Sequence, residues 1–407
     1  MRSRGVDANW TCPFCSLHCD GLALEGAPAA LMLNGTDCPR ARAGLDAHRS
    51  RDAPSACIDG SAVAPEAAEA EAARRLALWR QPLFGGLGTD LAGARALYRL
   101  AARTCAICDH AEGDALSLGL RALQDRGQCH TTLAEVRARA DLVVCVGTTA
   151  VALYPEFFRR AGLDRPDTPC RRLVFLGVEP PAGWKGQHVA GSGDLFTDLQ
   201  QLAALVATAP CRDADPALAD LALALREARY AVLVWESGAL PPHGALLLER
   251  MQRIVTTLNR GTRAATFALG GSHGAATLQQ VFTWLSGLPL RTRPGPDGGE
   301  YDPLRFAGGR LLADRAVDGL LWVWSWGPDG LPPATDLPRI VVGPPAMGPR
   351  VRDRNCIFLP VATPGVNAAG HLFRTDGVVV PLVAARDDAL PGVAQVAARL
   401  LHALESA

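Results

Sequence analysis

Short apolar runs recur along this chain, separated by alanine- and leucine-rich stretches of about one helix each. The apolar runs are Cys105–Asp109, Leu142–Gly147, Arg172–Val178, Ala231–Glu236, Ala265–Leu269, Leu320–Trp326, Ile340–Val342 and Ile357–Ala362. Helical patterns fall at 90–103, 115–127, 193–208, 216–229, 242–260, 274–286 and 392–405. Strands apolar on both faces need cover on both faces, and helices between them supply it. The alternation therefore predicts an α/β fold built from parallel sheets. A further helix starts at Pro65, within Pro65-Glu66-Ala67-Ala68-Glu69-Ala70, with proline in its first turn. Pro82–Gly88 reads as a short strand running into a glycine turn.

A chain of 407 residues exceeds one simple domain. Proline-containing breaks at Pro180-Pro181, Pro210 and Pro294–Pro303 serve as joints. The expected division is a cysteine-rich module at 1–60, a first α/β domain at 61–190 and a second at 191–345. A C-terminal segment at 346–407 then packs a cofactor-type loop on the α/β core. With 48% apolar and 20% charged residues, the chain can bury a core and disorder is not expected. The formal net charge of zero argues against nucleic acid or an anionic membrane as partner. No apolar run reaches the roughly 20 residues that span a bilayer. Met1-Arg2-Ser3-Arg4 lacks the apolar stretch of a secretory signal. A cytoplasmic protein is the expectation, its 12 cysteines serving as thiols or metal ligands rather than disulfides.

Four of those cysteines, Cys12, Cys15, Cys19 and Cys38, follow the spacing Cys-x2-Cys-x3-Cys-x18-Cys. One loop carrying three thiolates, closed by a distant fourth, suits a [4Fe–4S] cluster better than a structural zinc. A zinc knot or a packing role for the same residues are the alternatives. His18, inside the motif, is read as a solvated loop residue, the other reading being a donor to a thiolate. Cys105 and Cys108 form a CxxC on an apolar strand and are expected as core thiols, as is Cys145. Cys57, Cys129, Cys170, Cys211 and Cys356 are scattered.

Glycine-rich turns follow several strands: Gly85-Gly86-Leu87-Gly88, Gly147-Thr148-Thr149 and Gly270-Gly271-Ser272-His273-Gly274. Such turns at the carboxyl ends of parallel strands receive phosphates in nucleotide-binding folds. None is a full GxGxxG or Walker loop, and ordinary tight turns account for them equally. The segment from Gly365 to Gly377 reads as an irregular polar loop of the kind that builds sites, or as a plain surface turn.

Cys12-Pro13-Phe14-Cys15-Ser16-Leu17-His18-Cys19-Asp20 resembles the start of the formylmethanofuran dehydrogenase B subunit, a relative of the molybdopterin oxidoreductases. The resemblance continues through Pro82–Thr89, through the stretch from Thr132 to Leu142, and through Gln279–Leu290. It ends in Phe373-Arg374-Thr375-Asp376-Gly377 and so covers nearly the whole chain. The first and last motifs are specific and the middle ones softer. The resemblance implies a molybdopterin-oxidoreductase-like α/β architecture of several Rossmann-like layers with a small cysteine-rich module. It also implies a [4Fe–4S] cluster on the four cysteines and a tungsten or molybdenum bis-pterin guanine dinucleotide that interconverts carbon dioxide and formate.

That metal needs a cysteine or selenocysteine from the loop after the strand matching Ala106–Asp109. Here the loop reads His110-Ala111-Glu112-Gly113-Asp114-Ala115-Leu116-Ser117, with no cysteine. Asp114 and Ser117 are the oxygen ligands on offer. Loss of the redox site is the simpler reading, and the bis-pterin is then not expected. A version of the family without that site resembles the B subunit of bacterial formyltransferase/hydrolase complexes, which work in tetrahydromethanopterin-linked formaldehyde oxidation by passing a formyl group to a methanofuran-like carrier and hydrolysing it to formate. The resemblance implies an amidohydrolase-type hydrolase, a formyltransferase and a C subunit as partners, with this chain as a scaffold. An active tungsten or molybdenum subunit and an iron–sulfur electron-transfer subunit are the rival readings.

Overall fold

The computed structural model describes residues 9–26, 31–49, 55–164, 171–386 and 388–406; Cys170 lies outside them. Two compact units emerge. Unit 1 comprises Met1–Gly113, Gly271–Arg374 and Val378–Ala407, and unit 2 comprises Asp114–Gly270 with Thr375–Gly377.

Unit 1 opens with β1 (Ala23–Glu25), β2 (Met32–Asn34), α1 (Pro39–Asp46), β3 (Ala56–Ile58) and β4 (Ser61–Val63). There follow α2 (Pro65–Leu78), β5 (Pro82–Gly88), α3 (Leu91–Thr104) and β6 (Ile107–Cys108). Next come α4 (Gly113–Arg126), α5 (Leu133–Arg139), β7 (Leu142–Val146), α6 (Phe157–Arg160), β8 (Arg172–Leu176) and β9 (Gln187–Val189). Unit 2 continues with α7 (Leu195–Val206), α8 (Pro216–Glu227), β10 (Ala231–Glu236), α9 (Gly244–Leu258) and β11 (Ala264–Leu269). Unit 1 resumes with α10 (Ala275–Ser286), β12 (Thr292–Gly295), β13 (Gly298–Tyr301), α11 (Gly308–Ala313), β14 (Gly319–Trp324) and β15 (Arg339–Gly343). It closes with β16 (Cys356–Pro360), the hairpin β17 (Gly370–Phe373) and β18 (Val379–Leu382), and α12 (Val393–Ser406). No helix among the described residues is long and apolar enough to cross a membrane.

The units cut across the contiguous blocks 61–190 and 191–345. Backbone pairing explains this: β5 and β6, early in the chain, share a sheet with β14, β15 and β16 near its end. In unit 1 the strand order is β13-β12-β6-β5-β14-β15-β16-β3-β4. The central five run parallel, and antiparallel strands finish both edges. Every residue of β14 and β16 is buried, as the apolar runs there require.

Gly85–Gly88 is the end of a strand and not a turn. A Cβ at Gly86 would lie 2.8 Å from the indole of Trp322, and one at Gly88 would lie 2.8 Å from Trp324. Glycine is what lets β5 lie beneath the two tryptophans of β14. Cys105 also departs from expectation. It caps α3 in the left-handed conformation (φ +48°), leaving only Ile107 and Cys108 in β6.

Unit 2 holds a five-stranded sheet of order β11-β10-β7-β8-β9, parallel throughout. Its core includes Val144, Leu233, Leu247, Met251 and Ile254. The helices start on good caps. Thr132 accepts the Glu135 N–H at 3.2 Å ahead of α5, Asp194 caps α7, and Asp215 followed by Pro216 begins α8. Each cap stabilises by about 1 kcal/mol.

Candidate functional site

The cysteine loop folds on itself in unit 1. The Cys12 N–H donates to the Cys19 carbonyl at 2.9 Å, and the His18 N–H donates to the Cys15 carbonyl at 3.1 Å. Cys38 comes from the N-cap of α1, its N–H held by Thr36 Oγ1 at 3.1 Å. All four thiols are buried. Burial, together with the charges of Cys15, Cys19 and Cys38, pushes the Cys12 thiol well above its ordinary range. His18 is not solvated. It is buried, left-handed at φ +39°, and its Nδ1 lies 3.3 Å from the Cys12 carbonyl. The C-terminal loop fastens the module: Trp10 Nε1 donates to the Gly365 carbonyl at 2.7 Å, and His48 Nε2 meets Thr363 Oγ1 at 2.9 Å.

Beyond β6 the loop is shorter than the sequence pattern implied, because α4 begins at Gly113. The first residue past the strand is Asp109, which sequence reasoning left inside the strand. It is buried and paired with the buried Arg291 guanidinium at 3.3 Å, and it also accepts the Gly308 N–H at 2.7 Å. Arg291 donates further to the Pro303 carbonyl at 2.6 Å. Nothing local signals this pair, since its partners lie 182 positions apart in sequence.

His110 follows, buried under Trp324. The Glu112 N–H donates to its Nδ1 at 2.9 Å, and its Nε2 lies 3.4 Å from the His273 carbonyl, which fits a neutral ring protonated at Nε2. Burial lowers its pKa to about 4. Burial raises the Glu112 carboxyl, but the His273 hydrogen bond and the nearby Arg40 charge outweigh it and hold the pKa below the ordinary value. His273 Nδ1 lies 2.8 Å from Glu112 Oε1, and its ring lies 4.8 Å from Trp324. Its backbone is left-handed at φ +55°, a conformation held by Trp326 Nε1, which donates to its carbonyl at 2.7 Å. The preceding Ser272 accepts the Ser16 N–H at 3.2 Å, joining this cluster to the cysteine loop. Of the glycine-rich turns, 270–274 therefore supplies Ser272 and His273 to this cluster.

Asp114 and Ser117 lie on α4, and the Ser117 hydroxyl donates to the Asp114 carbonyl at 3.2 Å. In unit 2, strands β8–β9 and β10–β11 lie on opposite sides of β7, so the switch point falls between β7 and β10. There Thr148 Oγ1 donates to the buried Glu236 carboxylate at 2.7 Å. In the tail motif, Thr375 Oγ1 donates to the Ala268 carbonyl at 2.7 Å, and Asp376 accepts the Leu133 N–H at 2.9 Å. Residues Gly370–Phe373 form β17 rather than an irregular loop. Cys108, Cys145, Cys57 and Cys356 are buried, whereas Cys105 and Cys211 are half-buried and Cys129 is exposed.

These geometries distinguish two cofactors. Among the described residues no three His, Cys, Asp or Glu side chains are grouped to hold one metal ion. The four buried thiols Cys12, Cys15, Cys19 and Cys38 have the donor chemistry of a [4Fe–4S] ligand set. A tungsten or molybdenum bis-pterin does not fit the loop after β6. Its 109–112 segment offers no thiolate, Asp109 is committed to Arg291 and Gly308, and His110 is held on both ring nitrogens.

The chain is 30% identical over 282 residues to the B subunit of the formyltransferase/hydrolase complex Fhc of Methylorubrum extorquens, across 66% of this chain and 74% of that protein. It is 23% identical over 412 aligned positions to the B subunit of tungsten-containing formylmethanofuran dehydrogenase 2 of Methanococcus maripaludis, across 93% of each. The same protein of Methanocaldococcus jannaschii matches equally well, at 23% over 412 positions. Among solved structures, the formyltransferase/hydrolase complex FhcABCD of Methylorubrum extorquens with methylofuran contains a chain of the same fold. The TM-score is 0.74 at 27% identity, covering 86% of this chain and 99% of that one. No family model matches.

Proposed function

Since this chain belongs to the family of the formyltransferase/hydrolase complex B subunit, we propose that it is the B subunit of such a complex, a scaffold without a redox site of its own. Its partners would be a formyltransferase, an amidohydrolase-type hydrolase and a C subunit. Together they would pass a formyl group from tetrahydromethanopterin to a methanofuran-like carrier and hydrolyse it to formate, as part of tetrahydromethanopterin-linked formaldehyde oxidation. Transfer and hydrolysis of the formyl group belong to the partners.

The observation that supports the scaffold is the sealed position after β6. Asp109 is committed to the buried Arg291 guanidinium, and the stretch from His110 to Ser117 that follows holds no cysteine. The test is elemental analysis of the anaerobically purified native complex, combined with reconstitution lacking this chain. The expected result is tungsten and molybdenum far below one atom per complex, with partner subunits that separate when the chain is omitted. Stoichiometric tungsten or molybdenum would overturn the reading and return attention to Asp114 and Ser117 as ligands.

The four buried thiols favour one second reading, an iron–sulfur subunit. Cys12, Cys15, Cys19 and Cys38 would hold the cluster, which when bound supplies one-electron transfer. His18 would orient the loop through the Cys12 carbonyl. About four iron atoms per chain in the native complex would support it, and iron near zero would leave the cysteines as packing residues.

A further inference from the structure

One face of unit 1 runs against its own strand pattern. In β18, Val380 and Leu382 are buried while Val379 and Pro381 are exposed, and Val383 continues the alternation at 50% exposure. An antiparallel ribbon with one face on the core ordinarily turns polar side chains outward. Here the outward set is Val379, Pro381 and Val383. Phe373 stands opposite Val379 in the β17–β18 register and so shares that face. Trp284 of α10 lies edge-on to Phe373 at 5.2 Å and is itself 62% exposed. The Phe373 N–H donates to Thr277 Oγ1 at 2.8 Å, which fixes the hairpin to α10.

Helix α3 packs against both α10 and β17, with Tyr98 edge-on to Phe282 at 5.2 Å. It carries no acidic residue and presents Arg95 and Arg99, exposed and one turn apart. Among the described residues neither has an ion-pair or hydrogen-bond partner. On other helices of unit 1, Arg75 is answered by Glu71 and Arg399 by Glu69. An exposed indole and two unanswered guanidiniums are residue types that dominate binding energy at protein interfaces, and the apolar ribbon adds area to bury.

We propose that this face docks a segment of a partner subunit whose apolar side chains cover Trp284, Val379 and Val383 and whose carboxylates pair with Arg95 and Arg99. The inference rests on reading this chain as an assembly subunit. Charge complementarity selects the occupant. A second apolar or basic surface would strand two guanidiniums out of water, whereas carboxylates compensate them. The hairpin adds to the case, because a two-stranded ribbon gains from further cover.

The experiment is hydrogen–deuterium exchange on the isolated chain and on the complex co-expressed with its three partners. It is read beside the affinity of Arg95→Glu/Arg99→Glu, Arg95→Lys/Arg99→Lys and Val383→Ser chains for the partners. Slower exchange in α3, α10 and β17–β18 within the complex is expected. Charge reversal should weaken assembly about tenfold or more, most at low salt, while the lysine variant assembles normally. Val383→Ser should also weaken assembly and leave the isolated chain's melting unchanged. Assembly of the wild type with this face unprotected, or full assembly of the reversed variant, would overturn the docking proposal alone. Failure of the wild-type chain to join the three partners would remove the assembly reading and this inference with it.

Discussion

The cysteine loop and the loop after β6 belong to the same unit and meet through Ser16 and Ser272, yet they differ in what they preserve. The first carries four thiols, all buried. The second carries a buried salt bridge and an imidazole hydrogen-bonded on its Nδ1, with no thiolate from Asp109 to Ser117. On the proposed scaffold reading, buried thiols are kept because they pack the fold, whereas the segment after β6 is held by a buried ion pair and a hydrogen-bonded imidazole.

The largest test of this contrast is removal of one half of the buried pair. Asp109→Ala or Arg291→Ala should cost about 3–5 kcal/mol, since each leaves an uncompensated buried charge. Denaturant unfolding would measure it. The Asp109→Leu/Arg291→Leu double variant should be more stable than either single one. Equal losses in all three would mean that the pair is not what holds this loop.

The next effect is in pH. His110 titrates near pH 4 in the folded chain and near 6.5 when unfolded. Between those values the unfolded chain binds the proton that the folded chain refuses. The contribution is therefore fully present above about pH 6.5 and lost as pH falls toward 4. It amounts to about 3 kcal/mol at 1.36 kcal/mol per pKa unit. His110→Phe should flatten most of that slope, leaving the same-signed share of His48 and His130, which burial also lowers.

A smaller change is expected at the cysteines. Cys12→Ala and Cys108→Ala should each cost about 1–3 kcal/mol, as for buried apolar groups of that size, and an iron chelator should leave the wild-type melting temperature unchanged. Marked destabilisation by chelation would break the contrast, because the cysteine loop would then still depend on metal. The smallest effect belongs to Glu112→Gln. Its pair with His273 is half-exposed, so a loss of at most about 1 kcal/mol is expected, seen as a slight drop in melting temperature above the carboxylate range.

The strands and helices were readable from apolar runs because burial on both faces leaves that mark. The four cysteines stand out by their spacing, and all four are buried. What escaped depended on neighbours distant in sequence. Gly85–Gly88 looks like a turn until Trp322 and Trp324 are laid on it. Asp109 looks like the end of a strand until Arg291 arrives from far along the chain. His18 looks like a loop residue, although the fold of the loop itself buries it. The division into units was hidden for the same reason, since strand pairing and not chain order decides which segments cohere.

That interrupted chain order has a consequence for synthesis. Apart from Thr375–Gly377, unit 2 is one uninterrupted stretch, and all five of its strands emerge together. Strands β5 and β6 leave the ribosome before it, but β12, the outer partner of β6, and β14, the outer partner of β5, follow after it. At about 5–20 residues per second, they wait on the order of ten seconds or more with their pairing edges open. The inserted unit can be complete while its host is still half a sheet, which makes the host the slower and more aggregation-exposed part of the nascent protein.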